Sequence, residues 1–159
     1  MKEKIKRVYV DSSAVGGKFN KRLSEQTKPF WDAVERGEII VIVSDMLDQE
    51  VENKKTPRRV QDFLDSLLEA HAVRITTSRE VNDLAERYVI EGVVDEHSRN
   101  DCRHVALATI ANADVLVSWN LKHMVERSNE YKHVNRILGY PEIEIQTPKK
   151  FMEAHHGKN

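Results

Sequence analysis

The chain has 159 residues, with 25 Lys and Arg against 26 Asp and Glu, a net charge of -1. That balance excludes a nucleic-acid binder working through bulk positive charge, while leaving room for local phosphate-binding patches. One cysteine, Cys102, excludes an intrachain disulfide, residues 1–7 are too charged for a signal-type apolar core, and no apolar run nears the roughly 20 residues that span a bilayer. The expectation is one soluble cytoplasmic domain with no membrane partner.

Val8-Tyr9-Val10 is a β-branched and aromatic run ended by Asp11-Ser12-Ser13, which predicts a first strand. Phe30, Trp31 and Val34 mark a helix face, and Gly37 stops that helix. Leu23, Phe30 and Trp31 suit either the core or a partner face. Ile39 to Val43 predicts a second strand, ended by Ser44-Asp45; Leu47 and Val51, four apart, predict a short helix. Thr56-Pro57 reads as an N-cap with proline at the first helical position, opening a stripe of Val60, Phe63, Leu64, Leu67 and Leu68. Val73 to Thr77 predicts a third strand, and Val81, Leu84, Ala85, Tyr88 and Val89 a further helix. Val105, Ala106, Ala108, Thr109 and Ala111 line a helix with small residues, which permits close packing on a sheet. Val115 to Val117 and Ile143 to Ile145 predict the last two strands, with Gly139 and Pro141 ending the helix between them.

Strands separated by helical patterns predict an α/β fold with a mostly parallel five-stranded sheet flanked by helices. Strands one, two and four are apolar without alternation, as befits strands buried on both faces. Ligands of such sheets bind at the carboxyl ends of the strands. Asp11 directly follows the first strand, Glu50 lies six residues after Ser44, Asp101 opens the small-residue helix, and Asn120 follows the fourth strand. Taken singly these are a turn or capping acid, a solvated helix residue, a first-turn acid favoured by the helix dipole and a turn amide. Taken together they could converge, and three carboxylates and an amide oxygen at one sheet edge are the expectation. Like charges brought that close repel unless a cation holds them, and an all-oxygen donor set suits Mg²⁺ or Mn²⁺. Such an ion suits phosphodiester hydrolysis.

Four segments carry a specific resemblance. Val-Tyr-Val-Asp11-Ser-Ser, Ser44-Asp-Met-Leu-Asp-Gln-Glu50-Val, Asn100-Asp101-Cys-Arg-His104-Val-Ala-Leu-Ala and Ala113-Asp114-Val-Leu-Val-Ser118-Trp-Asn120 resemble, in order, the four motifs of the PIN-domain family, in the form seen in VapC-like toxins. The resemblance spans about residues 7–148, so the chain reads as a single PIN-like domain over 1–159 with a C-terminal tail at 149–159. It implies Mg²⁺- or Mn²⁺-dependent cleavage of single-stranded RNA, a homodimer, and a cognate antitoxin as partner. It implies catalytic roles for Asp11, Glu50, Asp101 and Asn120, the first three as metal ligands. The family often has Asp where Asn120 stands, so one negative charge is missing here. Ser118 stands where a Thr or Ser is common.

Other groups carry weaker signals. Lys54, Lys55, Arg58 and Arg59 form a basic cluster after Glu50, suited to RNA-backbone contact or to a solvated helix start. Arg99 and Arg103 flank Asp101 and suit either a phosphate or the acids themselves. Trp119 suits base stacking or packing at the sheet edge. His104 reads as a core or hydrogen-bonding histidine rather than a general base, Asp114 as structural, and the His155-His156 pair as a disordered tail. A phosphatase using Asp11 as nucleophile would want an acid two residues on, where Ser13 stands. A phosphorylated receiver module would want paired acids after the first strand, and Val8 to Ser13 offer one. An inactive PIN fold that binds RNA or protein is the reading that the missing fourth acid keeps open.

Overall fold

A computed structural model describes residues 5–53 and 56–156. Five strands, β1 (Lys6–Val10), β2 (Ile39–Ser44), β3 (Ala72–Ile75), β4 (Val115–Val117) and β5 (Glu144–Gln146), form one sheet in the order β3-β2-β1-β4-β5. Every pairing is parallel, with Val8 of β1 opposite Val41 of β2 on one side and Val115 of β4 on the other. The helices are α1 (Ser12–Gly17), α2 (Ser24–Glu35), α3 (Asp45–Asn53), α4 (Arg58–Ala70), α5 (Arg79–Ile90), α6 (Arg99–Ile110), α7 (Ser128–Leu138) and α8 (Pro148–His156).

The two-residue period of a strand sorts the core into two layers. Val8, Val10, Val41, Val43, Val115 and Val117 face one layer, against Phe30, Trp31 and Val34 of α2 and Leu64 and Leu67 of α4. Tyr9, Ile42 and Leu116 face the other, against Leu84 and Tyr88 of α5, Val105 and Leu107 of α6 and Tyr131 of α7. Phe30 and Trp31 are thus core residues and not a partner face. The small residues of α6 allow it to lie close on the sheet and on α5. Thr56 misses its expected role by one position: Pro57 is the N-cap of α4, and the Thr56 hydroxyl donates to the Val51 carbonyl.

The C-terminal segment departs from expectation. Residues expected to form a tail instead fold as α8. Phe151 and Met152 are buried in the α2 layer, with the Phe151 ring edge-on to Phe30 at 5.7 Å. His155 stacks on Phe151 and pairs with Glu38 at 2.9 Å. Phe151, Met152 and His155 share one helical face, and burying that face drives the segment to fold.

Candidate functional site

The parallel register sets the site. Val10 pairs with Val117, so the residues just past them, Asp11 and Ser118, emerge side by side at the carboxyl edge. Asp11 is the N-cap of α1. Its Oδ1 accepts from the Ala14 N–H at 3.0 Å and from the Ser13 hydroxyl at 2.7 Å, and its Oδ2 accepts from the Ser118 hydroxyl at 2.6 Å. The capping role and the site role thus fall on one residue. Ser118 also accepts the Asn120 backbone N–H at 2.9 Å. The Trp119 backbone N–H donates to Ser13 at 2.8 Å. Trp119 takes the packing role: its indole N–H donates to Thr27 at 2.9 Å, and it lies over Gly17, where any Cβ would stand 2.8 Å from the indole nitrogen.

Glu50 reaches the same edge from α3. Its Oε2 accepts from the Ser12 hydroxyl at 2.8 Å, and its Oε1 is bonded to Nε2 of His104. His104 is buried on α6, and its Nδ1 lies 2.6 Å from the Tyr9 hydroxyl, which lies 2.8 Å from Ser44 Oγ. Asp101 stands one turn before His104 on α6. Its Oδ2 lies 3.6 Å from Nδ1 of His123, and Asn120 hydrogen-bonds to its side chain.

The groups also act on one another electrostatically. Burial works against a charged His104, but the bond to Glu50 and the charges of Glu50, Asp11 and Asp101 outweigh it and hold the imidazole above its ordinary pKa. Burial pushes the Asp101 carboxyl up; His104, Asn120 and His123 oppose this, and the Asp11 charge adds to it. Of the three carboxylates, Glu50 is bonded to the buried imidazole, while Asp11 and Asp101 act on it through their charge. Among the described residues, no three Asp, Glu, His or Cys side chains are already gathered into a metal-holding group. Asp11 is turned to Ser13 and Ser118, Glu50 to Ser12 and His104, and Asp101 to Asn120 and His123. The donor chemistry still fits a hard divalent ion: three carboxylates and an amide oxygen at one edge.

The basic residues are placed less simply. Arg99 forks onto Glu86 of α5, at 2.5 and 3.2 Å. Arg103 donates to Asn100 at 2.9 Å on the exposed side of α6. Lys54 and Lys55 lie outside the described residues. Arg59 stands 5.6 Å over the Phe19 ring. It borders a cleft of about 410 Å³ lined also by Ser12, Ser13, Glu50, Phe19, Val51 and Val60. Asp114 sits at the opposite edge, its Oδ2 accepting the Arg7 backbone N–H at 2.8 Å.

Sequence reasoning did not pick out Tyr9, Ser12, Ser13 or His123 as site residues; it read His104 as a core or hydrogen-bonding histidine, and His104 is both. Two hydroxyls directly after Asp11, and a histidine three residues after Asp101 on the same helix face, are the signals that were present.

No family model matches the sequence, and no curated protein matches it. Solved structures do match. VapC20 of Mycobacterium tuberculosis, a sarcin-ricin loop cleaving toxin, superposes with a TM-score of 0.56 at 14% identity over 73% of this chain and 92% of that one. VapBC2 of Rickettsia felis, bound to a DNA fragment from their promoter, superposes with a TM-score of 0.57 at 15% identity over 89% of this chain and 98% of that one. The chain has a PIN-like fold. The PIN-like sheet is parallel throughout, and Asp11, Glu50, Asp101 and Asn120 reach it from α1, α3, α6 and the loop after β4. Among the described residues of this PIN-like chain, no helix is long and apolar enough to cross a membrane.

Proposed function

We propose that this PIN-like chain is a divalent-metal-dependent endoribonuclease of the VapC type, the toxin of a toxin–antitoxin pair. The observation that carries the reading is that Asp11, bonded to Ser118 just past β1 and β4, and Glu50, bonded to His104 one turn after Asp101 on α6, stand at the carboxyl edge of a PIN-like sheet. That one structural neighbour is a cleaving toxin and another comes from a VapBC pair supports it. Asp11, Glu50 and Asp101 would hold Mg²⁺ or Mn²⁺, with Asn120 assisting. Such an ion supplies Lewis acidity toward a phosphodiester and lowers the pKa of water for in-line attack. The residues of the chain do the rest. Ser13 and Ser118 fix the Asp11 carboxylate, and Asn120 steadies Asp101. The cleft beside Glu50 gives an RNA strand an apolar wall next to the acids, with Arg59 suited to its phosphates. A homodimer working in the cytoplasm, and an antitoxin partner, complete the proposal.

Asn120 favours a second reading, a catalytically weak or inactive PIN-like module that binds RNA or protein, because a fourth charge is missing at the site. Incubation of the purified protein with a mixed RNA pool in Mg²⁺, Mn²⁺ or EDTA, beside Asp11→Asn, separates the two. The nuclease reading expects metal-dependent cleavage that Asp11→Asn abolishes. Intact RNA in every metal, from well-folded protein, would favour the binding module.

A further inference from the structure

Glu50 is held from inside the protein. Ser44 at the end of β2, Tyr9 in β1 and His104 in α6 form a buried column of hydrogen bonds, and the column ends on Glu50 Oε1. All three are at most 2% exposed. Burying polar groups costs free energy unless each finds a partner, and among the described residues no buried side-chain nitrogen or oxygen lacks one. Apolar side chains would fill the same space without that requirement. The polar column instead leads from the sheet interior to a single acid at the site.

Its chemistry has a direction. A carboxylate only accepts, so Nε2 of His104 carries a proton and donates it to Glu50 whether the ring is neutral or charged. The Tyr9 hydroxyl holds the other ring nitrogen and so fixes the plane of the imidazole. Ser12 clamps the second carboxylate oxygen at 2.8 Å. Helix α6 therefore presents an acid, Asp101, and one turn later the residue that orients a second acid on another helix.

We propose that His104, held in turn by Tyr9 and Ser44, is a positioning residue that fixes the Glu50 carboxylate for a divalent cation. The inference rests on the metal-dependent reading above. Partners of this kind change metal affinity by about 10–100-fold when removed.

The test is Mn²⁺ titration of the full chain, followed by the paramagnetic resonance of free Mn²⁺, for wild type, His104→Leu, His104→Gln and Tyr9→Phe. Circular dichroism and melting confirm that each variant is folded; should His104→Leu not fold, His104→Gln and Tyr9→Phe carry the comparison. His104→Leu is expected to weaken Mn²⁺ binding by about 10–100-fold. His104→Gln, whose amide can still donate to Glu50, recovers part of the loss, and Tyr9→Phe weakens binding less than His104→Leu. In RNA cleavage, the Mn²⁺ concentration for half-maximal rate shifts more than the maximal rate. A metal-free readout stands beside these: the His104 ring nitrogens in ¹⁵N spectra shift when Glu50→Gln is introduced. Wild-type affinity in His104→Leu, equal losses in the Leu and Gln variants, or a ring spectrum blind to Glu50→Gln would each overturn the proposal while leaving the nuclease reading intact. A wild-type protein that neither binds Mn²⁺ nor cleaves RNA would overturn both.

Discussion

Gly16 and Gly17 close the same short helix, yet alanine should have opposite effects at the two. A Cβ at Gly16 meets nothing within 4 Å. Gly16→Ala therefore gains only the backbone term, about 0.5–1 kcal/mol of added stability. A Cβ at Gly17 stands 2.8 Å from the Trp119 indole nitrogen and 2.9 Å from Thr27 Oγ1, closer than real Cβ contacts come. The indole must retreat, and it is tied in place by its bond to Thr27 and by the Trp119 backbone bond to Ser13. Overpacking of this kind costs about 1–3 kcal/mol and the lost indole bond about 1, against a backbone gain of about 0.5–1. The net is a loss of about 1–3 kcal/mol, a fall of about 2–12 °C in melting temperature at this size. Trp119 lies between Ser118 and Asn120, so the shift passes into the acidic edge, and on the proposed nuclease function RNA cleavage by Gly17→Ala should fall even well below its melting point. Urea and thermal unfolding of the two variants provide the assay. Equal stabilisation by both alanines would refute the reasoning, because it would mean that Trp119 does not press on Gly17.

Ser118→Ala removes a donor from the buried Asp11 carboxylate and an acceptor from the Asn120 N–H. It should cost about 1.5–3 kcal/mol in urea unfolding, and most of that cost should vanish in an Asp11→Asn background if the two groups are coupled. Asn120→Asp removes a hydrogen bond to Asp101 and adds a like charge beside it. Without metal the variant should melt below wild type, and it should gain more from added Mn²⁺ than wild type does; an equal gain would count against Asn120 facing the ion. Glu38 anchors α8 through His155. Its carboxyl is pulled down from 4.5 to about 2, first by the bond from Arg36 and then by that from His155. Because the folded value is the lower one, its stabilisation is in full force above about pH 4.5 and is lost as the pH falls towards 2. The difference in urea midpoint between wild type and Glu38→Gln should shrink across that window and also in high salt, since the pair is solvent-exposed. A difference independent of pH would contradict the pairing.

The strands were legible because a sheet buried on both faces demands uninterrupted β-branched runs, and Val8 to Val10, Ile39 to Val43 and Val115 to Val117 supply them between turn residues. Asp11 and Asp101 were legible because one sits just past a strand and the other in the first turn of a helix, where chain order fixes the edge they reach; Glu50, six residues past β2 and inside α3, was legible only through its motif. What joins them was not. Tyr9 meets His104 across 95 residues and Ser44 across 35, and no local pattern encodes those contacts. Arg99 suits a phosphate or the neighbouring site acids in the sequence, and it is Glu86, 13 residues back on α5, that takes its guanidinium. Helix α8 hid behind Lys149-Lys150: its apolar face is only Phe151 and Met152, too short to stand out without the α2 surface that it covers.

The pairing of β1 with β4 also sets a timetable. Asp11 is made early, but its Ser118 partner lies 107 residues later, and Asn120 later still. On a growing chain the first strand is flanked by β2 alone until β4 has cleared the ribosome and inserted beside it. Contacts of such long sequence separation form late. Until then the Asp11 carboxylate lacks the Ser118 hydroxyl that holds its Oδ2, and Asp101 lacks Asn120, so the edge takes its final form only when the fourth strand joins the first.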